Sequence, residues 1–266
     1  MEVNTLRGGW HIGSADRVSG EGVGAPGAMG LFSSFTDKLK KALKKVWRVV
    51  KAVVRVVVRV VLTGYGLLVG LPDLLLGFLT WPQKKLRYQI FILSDDKGPL
   101  VDPADLGPSI DFFRTTFKKR FNVKIEAYGK PDIQLIKEPA PAAALDVRCG
   151  TGAFVDEFGA AGEFFAQHIA GWNAIPISLG FPVTIFIVRS MTDADGCSLG
   201  PLTDHVLLTP VAVAELNVLA HEVGHSCNLW HSGSKSNLMW HDPSRGDEAN
   251  WFQKNLLRSS RHVQYR

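Results

Sequence analysis

The chain has 266 residues, a length that suits one domain of ordinary size plus an appendage. Its net charge of +5 is uneven: nine Lys and Arg fall between Lys38 and Arg59, whereas residues 60–266 hold 19 basic and 21 acidic side chains. That distribution excludes a basic surface spread over the fold, and three cysteines exclude a disulfide framework of the kind that staples small domains.

Residues 1–34 are rich in Gly, with Ser and Pro, and read as a flexible leader. No secretory signal peptide is expected here, because the first strongly apolar segment comes far too late. Residues 35–85 form a second region. On a helical wheel, Lys38, Lys40, Lys41, Lys44, Lys45, Arg48, Lys51, Arg55 and Arg59 fall within an arc of about 160°. Val46, Val49, Val50, Val53, Val54, Val57, Val60 and Val61 cover most of the rest. A strand would mix valines and cations on one face, so the pattern predicts a helix. A valine-rich helix is weak in water and needs a surface to lie on. The favoured surface is an anionic membrane, met through residues 35–82. The alternative is the chain's own core, with the basic face left in water.

Val60 to Trp81 carries a single charge, Asp73, and is long enough to cross a bilayer. Pro72-Asp73 and Gly64, Gly66, Gly70 and Gly77 fit a re-entrant or interfacial hairpin equally well. Trp81 followed by Lys84, Lys85 and Arg87 has the character of an interfacial anchor. The expected location is membrane-associated, and if the segment spans, the upstream cations place residues 86–266 outside. Nucleic acid is not an expected partner, since the helix has a broad apolar face and no stacking aromatic beyond Trp47.

In residues 86–266, Leu86–Leu93 reads as a strand by alternation and Asp105–Arg120 as a helix through Ile110, Phe113 and Phe117. Val123–Tyr128 and Ile133–Ile136 read as short strands, and Asp156–Trp172 as a helix. Val183–Val188 is an apolar run of buried-strand type, and His205–Leu208 is another short strand. Thr209-Pro210 starts the next helix, with Thr as N-cap and Pro in the first turn. Asp247–Arg258 closes the chain as a helix, with Glu248 in its first turn. This order predicts a mixed sheet with helices, of α+β or α/β class. Cys149, Cys197 and Cys227 read as buried small apolar residues, with one pair plus a free thiol as an alternative that the sequence does not choose, and His168, His205 and His262 read as ordinary helix, strand and tail residues.

The chemistry concentrates in His221-Glu222-Val223-Gly224-His225-Ser226-Cys227-Asn228-Leu229-Trp230-His231. Positions i and i+4 share a helix face, so His221 and His225 can address one ion. The helix must end before His231 can join them, and Asn228 tolerates the left-handed conformation that ends helices. Three neutral nitrogens on Zn²⁺ leave a fourth position for water, which is the catalytic arrangement. Glu222 then reaches that water as general base. Glu248 is a rival third ligand, ranked below His231.

This stretch resembles the metzincin zinc-peptidase signature, His-Glu-x-x-His-x-x-Gly-x-x-His, with Asn228 in place of the glycine. Ser236-Asn237-Leu238-Met239-Trp240 resembles the Met-turn that follows it. The resemblance implies a zinc-dependent endopeptidase with a mixed, twisted sheet and an active-site helix. It implies Met239 as a hydrophobic floor beneath the metal. It also implies a cleft beside an edge strand, where Asp195–Leu202 would pair with an extended peptide or protein substrate. His241 lies two residues after Met239, where some branches carry a tyrosine that ligates zinc or steadies the transition state. Ser232 is similar to the matrixin branch, and so is Arg148-Cys149-Gly150 to the inhibitory tripeptide of matrixin propeptides, although it lies inside the catalytic region. From another class, the alternative is a membrane-binding or membrane-perturbing protein whose zinc-binding scaffold is catalytically silent.

Overall fold

The structure is a computed structural model and describes residues 28–71, 82–169, 182–200 and 203–265. Most of the expected leader, the Pro72-Asp73 turn, the Trp81 anchor and the end of the helix expected at Asp156–Trp172 lie outside the described residues. The chain divides into two compact units, residues 1–44 and 45–266.

Helix α1 (Ala28–Val69) opens the described chain. Then come β1 (Lys84–Asp95), the short β2 (Gly98–Pro99), α2 (Gly107–Thr116), β3 (Val123–Ala127) and β4 (Ile133–Pro139). Next are α3 (Ala142–Leu145), β5 (Asp146–Arg148), α4 (Thr151–Glu157) and α5 (Ala160–His168). The strands β6 (Val183–Ile187), β7 (Ser190–Thr192), β8 (Gly196–Ser198) and β9 (His205–Leu208) lead into α6 (Pro210–Ala214) and α7 (Val218–Ser226). The chain closes with α8 (Trp251–Arg258) and β10 (Val263–Gln264).

The long strand β1 organises a mixed sheet. It pairs in parallel with β3, β4 and β6, and antiparallel with β10. The path continues from β6 to the parallel β9 and ends on β8, which runs antiparallel to β9 at the sheet edge. Alternation along β1 feeds two cores. Leu86, Tyr88, Ile90 and Ile92 pack with Phe113, Phe117 and other residues on one face, the face that carries α7. Phe91 and Leu93 pack with Phe165 and Phe186 on the other. Phe113, Phe117 and Phe121 follow a four-residue repeat, with successive ring centroids 4.6 and 5.1 Å apart. A buried Arg258 ties this end together by donating to the carbonyls of Phe121, Asn122 and Pro82.

Four local expectations change. The helix expected to run unbroken from Thr209 into the ligand stretch is two helices, because Glu215 turns extended and Asn217 donates its side-chain amide to Pro243 O and Arg245 O. The last helix begins at Trp251 under an Asn250–Gln253 capping box, so Glu248 lies ahead of it, accepting from Ser236 Oγ at 2.7 Å. Cys149 and Cys197 form a disulfide that joins the segment after β5 to β8, with Cα atoms 5.8 Å apart, while Cys227 is buried and free. His262 is not an ordinary tail residue but is buried.

Helix α1 departs from expectation as well. Within residues 45–266 its arginine face turns inward. Arg59 is 1% exposed, and donates from Nε to Asp204 at 2.6 Å and from Nη1 to Glu157 at 2.8 Å. Arg55 lies 3.5 Å from Glu157, and Arg48 donates to Glu163 at 2.6 Å. Ala52, Gly66 and Gly70 share that face, and a Cβ on Gly70 would fall 2.0 Å from Ser259 Cβ. The valines point the other way. Arginines and not valines therefore take the core side, while Lys45 and Lys51 stay in water. Glu157 and Asp204 supply the countercharges that make burial of Arg59 tolerable. Among the described residues no helix is long and apolar enough to cross a membrane. The exposed apolar and basic surface of α1 can contact a membrane peripherally.

Candidate metal centre

Helix α7 carries buried His221 and Glu222 near its centre and half-buried His225 in its last turn. It ends at Cys227, and Asn228 takes φ 71°, the left-handed turn its side chain tolerates. That reversal returns His231 to the ligand face. His225 Nε2 then lies 3.1 Å from His221 Nε2 and 3.2 Å from His231 Nε2. A tetrahedral ion with bonds of about 2.0–2.1 Å holds its nitrogens about 3.3 Å apart, so the three atoms sit where one ion would gather them.

The other ring nitrogens decide what those contacts are. His221 Nδ1 donates to Leu238 O at 2.9 Å, and His225 Nδ1 donates to Leu229 O at 2.8 Å. A carbonyl only accepts, so each Nδ1 holds its ring's proton and each Nε2 presents a lone pair. Two lone pairs at 3.1 Å repel unless a cation lies between them. Burial, reinforced by the nearby Arg245 cation, pushes His221 down to about 2; burial pushes His225 down to about 4 and lowers His231. The cluster is thus held neutral, the form that binds metal. His221, His225 and His231 can hold a divalent ion, and they fit it in donor type and spacing, with the tautomer already set at His221 and His225.

The surroundings are built for this cluster. Met239 is fully buried, and a Cβ on Gly224 would lie 2.7 Å from Met239 Sδ, so the glycine lets the turn pass beneath α7. Asn237 Oδ1 accepts from Met239 N, and Asn237 exchanges amide hydrogen bonds with Gln253. Ser232 N donates to Met239 O at 2.8 Å, which ties the segment after His231 to the same turn. His241 stands beside the cluster with its ring centroid 6.4 Å from that of His231. Glu248 is not part of it.

Glu222 faces the edge strand. A Cβ on Gly196 would fall 2.9 Å from Glu222 Oε1, so this glycine makes room for the carboxylate. Burial pushes Glu222 up to about 8, against the opposing pull of the Arg245 cation and the Ser198 amide. Ser198 Oγ shares a hydrogen bond with Ser226 Oγ at 2.9 Å, fastening β8 to α7. The Cys149–Cys197 disulfide anchors β8 from behind, between the two residues that approach Glu222.

No protein-family model matches the chain, and no curated protein matches it. Among solved structures, the crystal structure of metalloproteinase-II from Bacteroides fragilis is similar over 64% of this chain and 51% of that one, at 15% identity and a TM-score of 0.40. A likeness of that size assigns neither fold nor activity, so the geometry of the cluster stands by itself.

Sequence spacing already brings the three histidines, Glu222 and Met239 into view. It misses Arg245. The resemblance already sets Asp195–Leu202 beside the cleft, but Gly196 and Ser198 carry no motif of their own, and their approach to Glu222 emerges only from the fold. Arg245 is a lone cation in a loop, held by the carbonyls of His241 and Asp242.

Proposed function

We propose that the chain is a zinc-dependent peptidase acting on peptide or protein substrates at this cluster. The observation that carries the reading is three converging Nε2 atoms, those of His221 and His225 proton-free, with a buried carboxylate on the next residue after the first ligand. His221, His225 and His231 would hold the ion. Zinc in such a site supplies a Lewis acid that polarises a carbonyl and acidifies a water. Glu222 takes the water's proton on a side-chain oxygen and later delivers it to the leaving amine. Its raised proton affinity suits both halves of that task, because a base poised near neutrality can also give the proton back.

The remaining residues position and exclude. Met239 gives the cluster an apolar floor, and Gly224 lets it come close. Among the described residues no strand lies on the outer side of β8, beside Glu222, and an extended peptide would add there as a strand. His241, with its ring centroid 6.4 Å from that of His231, would donate to a developing oxyanion. Replacing Glu222 by Gln tests the reading: zinc content should persist while peptide cleavage is lost.

A second reading, a metal-binding scaffold on a membrane-binding protein, draws on the exposed apolar face of α1. Wild-type protein that binds zinc fully yet cleaves no member of a peptide library would favour it.

A further inference from the structure

The inward turn of the arginines in α1 leaves its apolar face bare. Nine valines between Val46 and Val61 stand 36–63% exposed, and Trp47 and Leu68 continue the same side at 61% and 66%. A helix rises about 1.5 Å per residue, so Val46 to Leu68 spans roughly 35 Å. Contiguous apolar surface of that reach is uncommon on a molecule that works alone in water.

Charge selects the occupant. No acidic residue stands between Asp37 and Asp73 in the sequence. Lys45 and Lys51 are exposed at the two borders of the valine face, and Lys51 Nζ sits 5.7 Å over the Trp47 ring. A second copy of the chain would bring the same cations against these. An anionic surface would pair with them, at about 1 kcal/mol for each Lys or Arg near the headgroups.

We infer that this face is the seat for an anionic lipid bilayer, with the helix lying along the headgroup plane. The ion pairs of Arg59 with Glu157 and Asp204 fasten the opposite face to the body of the protein. The helix therefore lies on the bilayer as part of a folded domain and does not cross it. Its valines enter the acyl boundary while Lys45 and Lys51 meet the headgroups. This inference is independent of the peptidase reading, and each can fail without the other.

Flotation of the full chain with phosphatidylcholine vesicles, with and without phosphatidylglycerol, tests it. Wild type should float with the mixed vesicles and weakly with the neutral ones. The double variant Val53→Asp, Val57→Asp changes exposed residues only, so it should keep the wild-type unfolding curve. It should bind mixed vesicles at least about tenfold more weakly, because each lost valine forfeits upwards of a kcal/mol of burial. Lys45→Glu with Lys51→Glu should remove the preference for phosphatidylglycerol. Equal flotation of wild type and the valine variant would overturn the inference. So would absence of flotation, and so would a valine-dependent dimer in solution that hides the face from vesicles.

Discussion

His221 and His225 each commit one ring nitrogen to a backbone carbonyl, and that choice of proton position leaves the other nitrogen ready for an ion. The two carbonyls belong to Leu238, beside Met239, and to Leu229, beside the Asn228 turn. The turn residues thus set the tautomers. His221→Ala should cut zinc retention at least about tenfold in dialysis against a weak chelator, judged by metal analysis, since the site loses its most buried donor. Gly224→Val should destabilise the fold by about 1–3 kcal/mol in denaturant titration, because its Cβ would meet Met239 Sδ at 2.7 Å. At this scale the sequence is informative where spacing is the signal: the histidine pair, the asparagine turn and the methionine are all visible as intervals. Arg245 is not, since nothing in a loop arginine's neighbours reveals which buried carboxylate it will face.

Among the elements, β8 links the disulfide to Glu222. Cys197 lies between Gly196, which clears space for the carboxylate, and Ser198, whose amide approaches it. Replacing Cys149 and Cys197 by Ser should lower stability by about 4 kcal/mol for a loop closed over 48 residues. If peptides pair with this strand, the same variant should raise KM more than it lowers kcat. The strand β9 carries a second titrating group, His205. Burial, only partly offset by Glu157, pushes it down to about 4 from its ordinary 6.5. Its neutral burial stabilises the fold above pH 6.5, and that contribution should disappear as pH falls through about 4. Denaturant unfolding of wild type and His205→Phe across this range should show a flatter acid limb in the variant. Strand β1 and the caps at Thr209 are legible from alternation and residue type. The break at Glu215–Asn217 is not, because it is set by a hydrogen bond from Asn217 to a loop 26–28 residues away.

Across the whole of residues 45–266, the clearest lesson comes from α1. Its wheel shows two faces but not which one the protein will use. Valines look like the buried side until Glu157 and Asp204, about a hundred or more residues further on, provide partners for Arg59. Arg261 donates to Asp204 as well and Arg55 lies beside Glu157, so three guanidiniums and two carboxylates meet in one buried group. Arg59→Ala should cost about 3–5 kcal/mol, because Glu157 and Asp204 would each lose a buried partner. Limited proteolysis should then cut within α1 before the body of the protein.

The central claim is that the tri-histidine cluster and Glu222 form one catalytic centre. The most direct measurement is zinc content and peptide turnover in the same sample of Glu222→Gln protein, beside wild type. Both should hold one zinc per chain, with turnover in the variant lower by about 10²–10⁴-fold. Wild-type turnover in the zinc-loaded variant would contradict the claim.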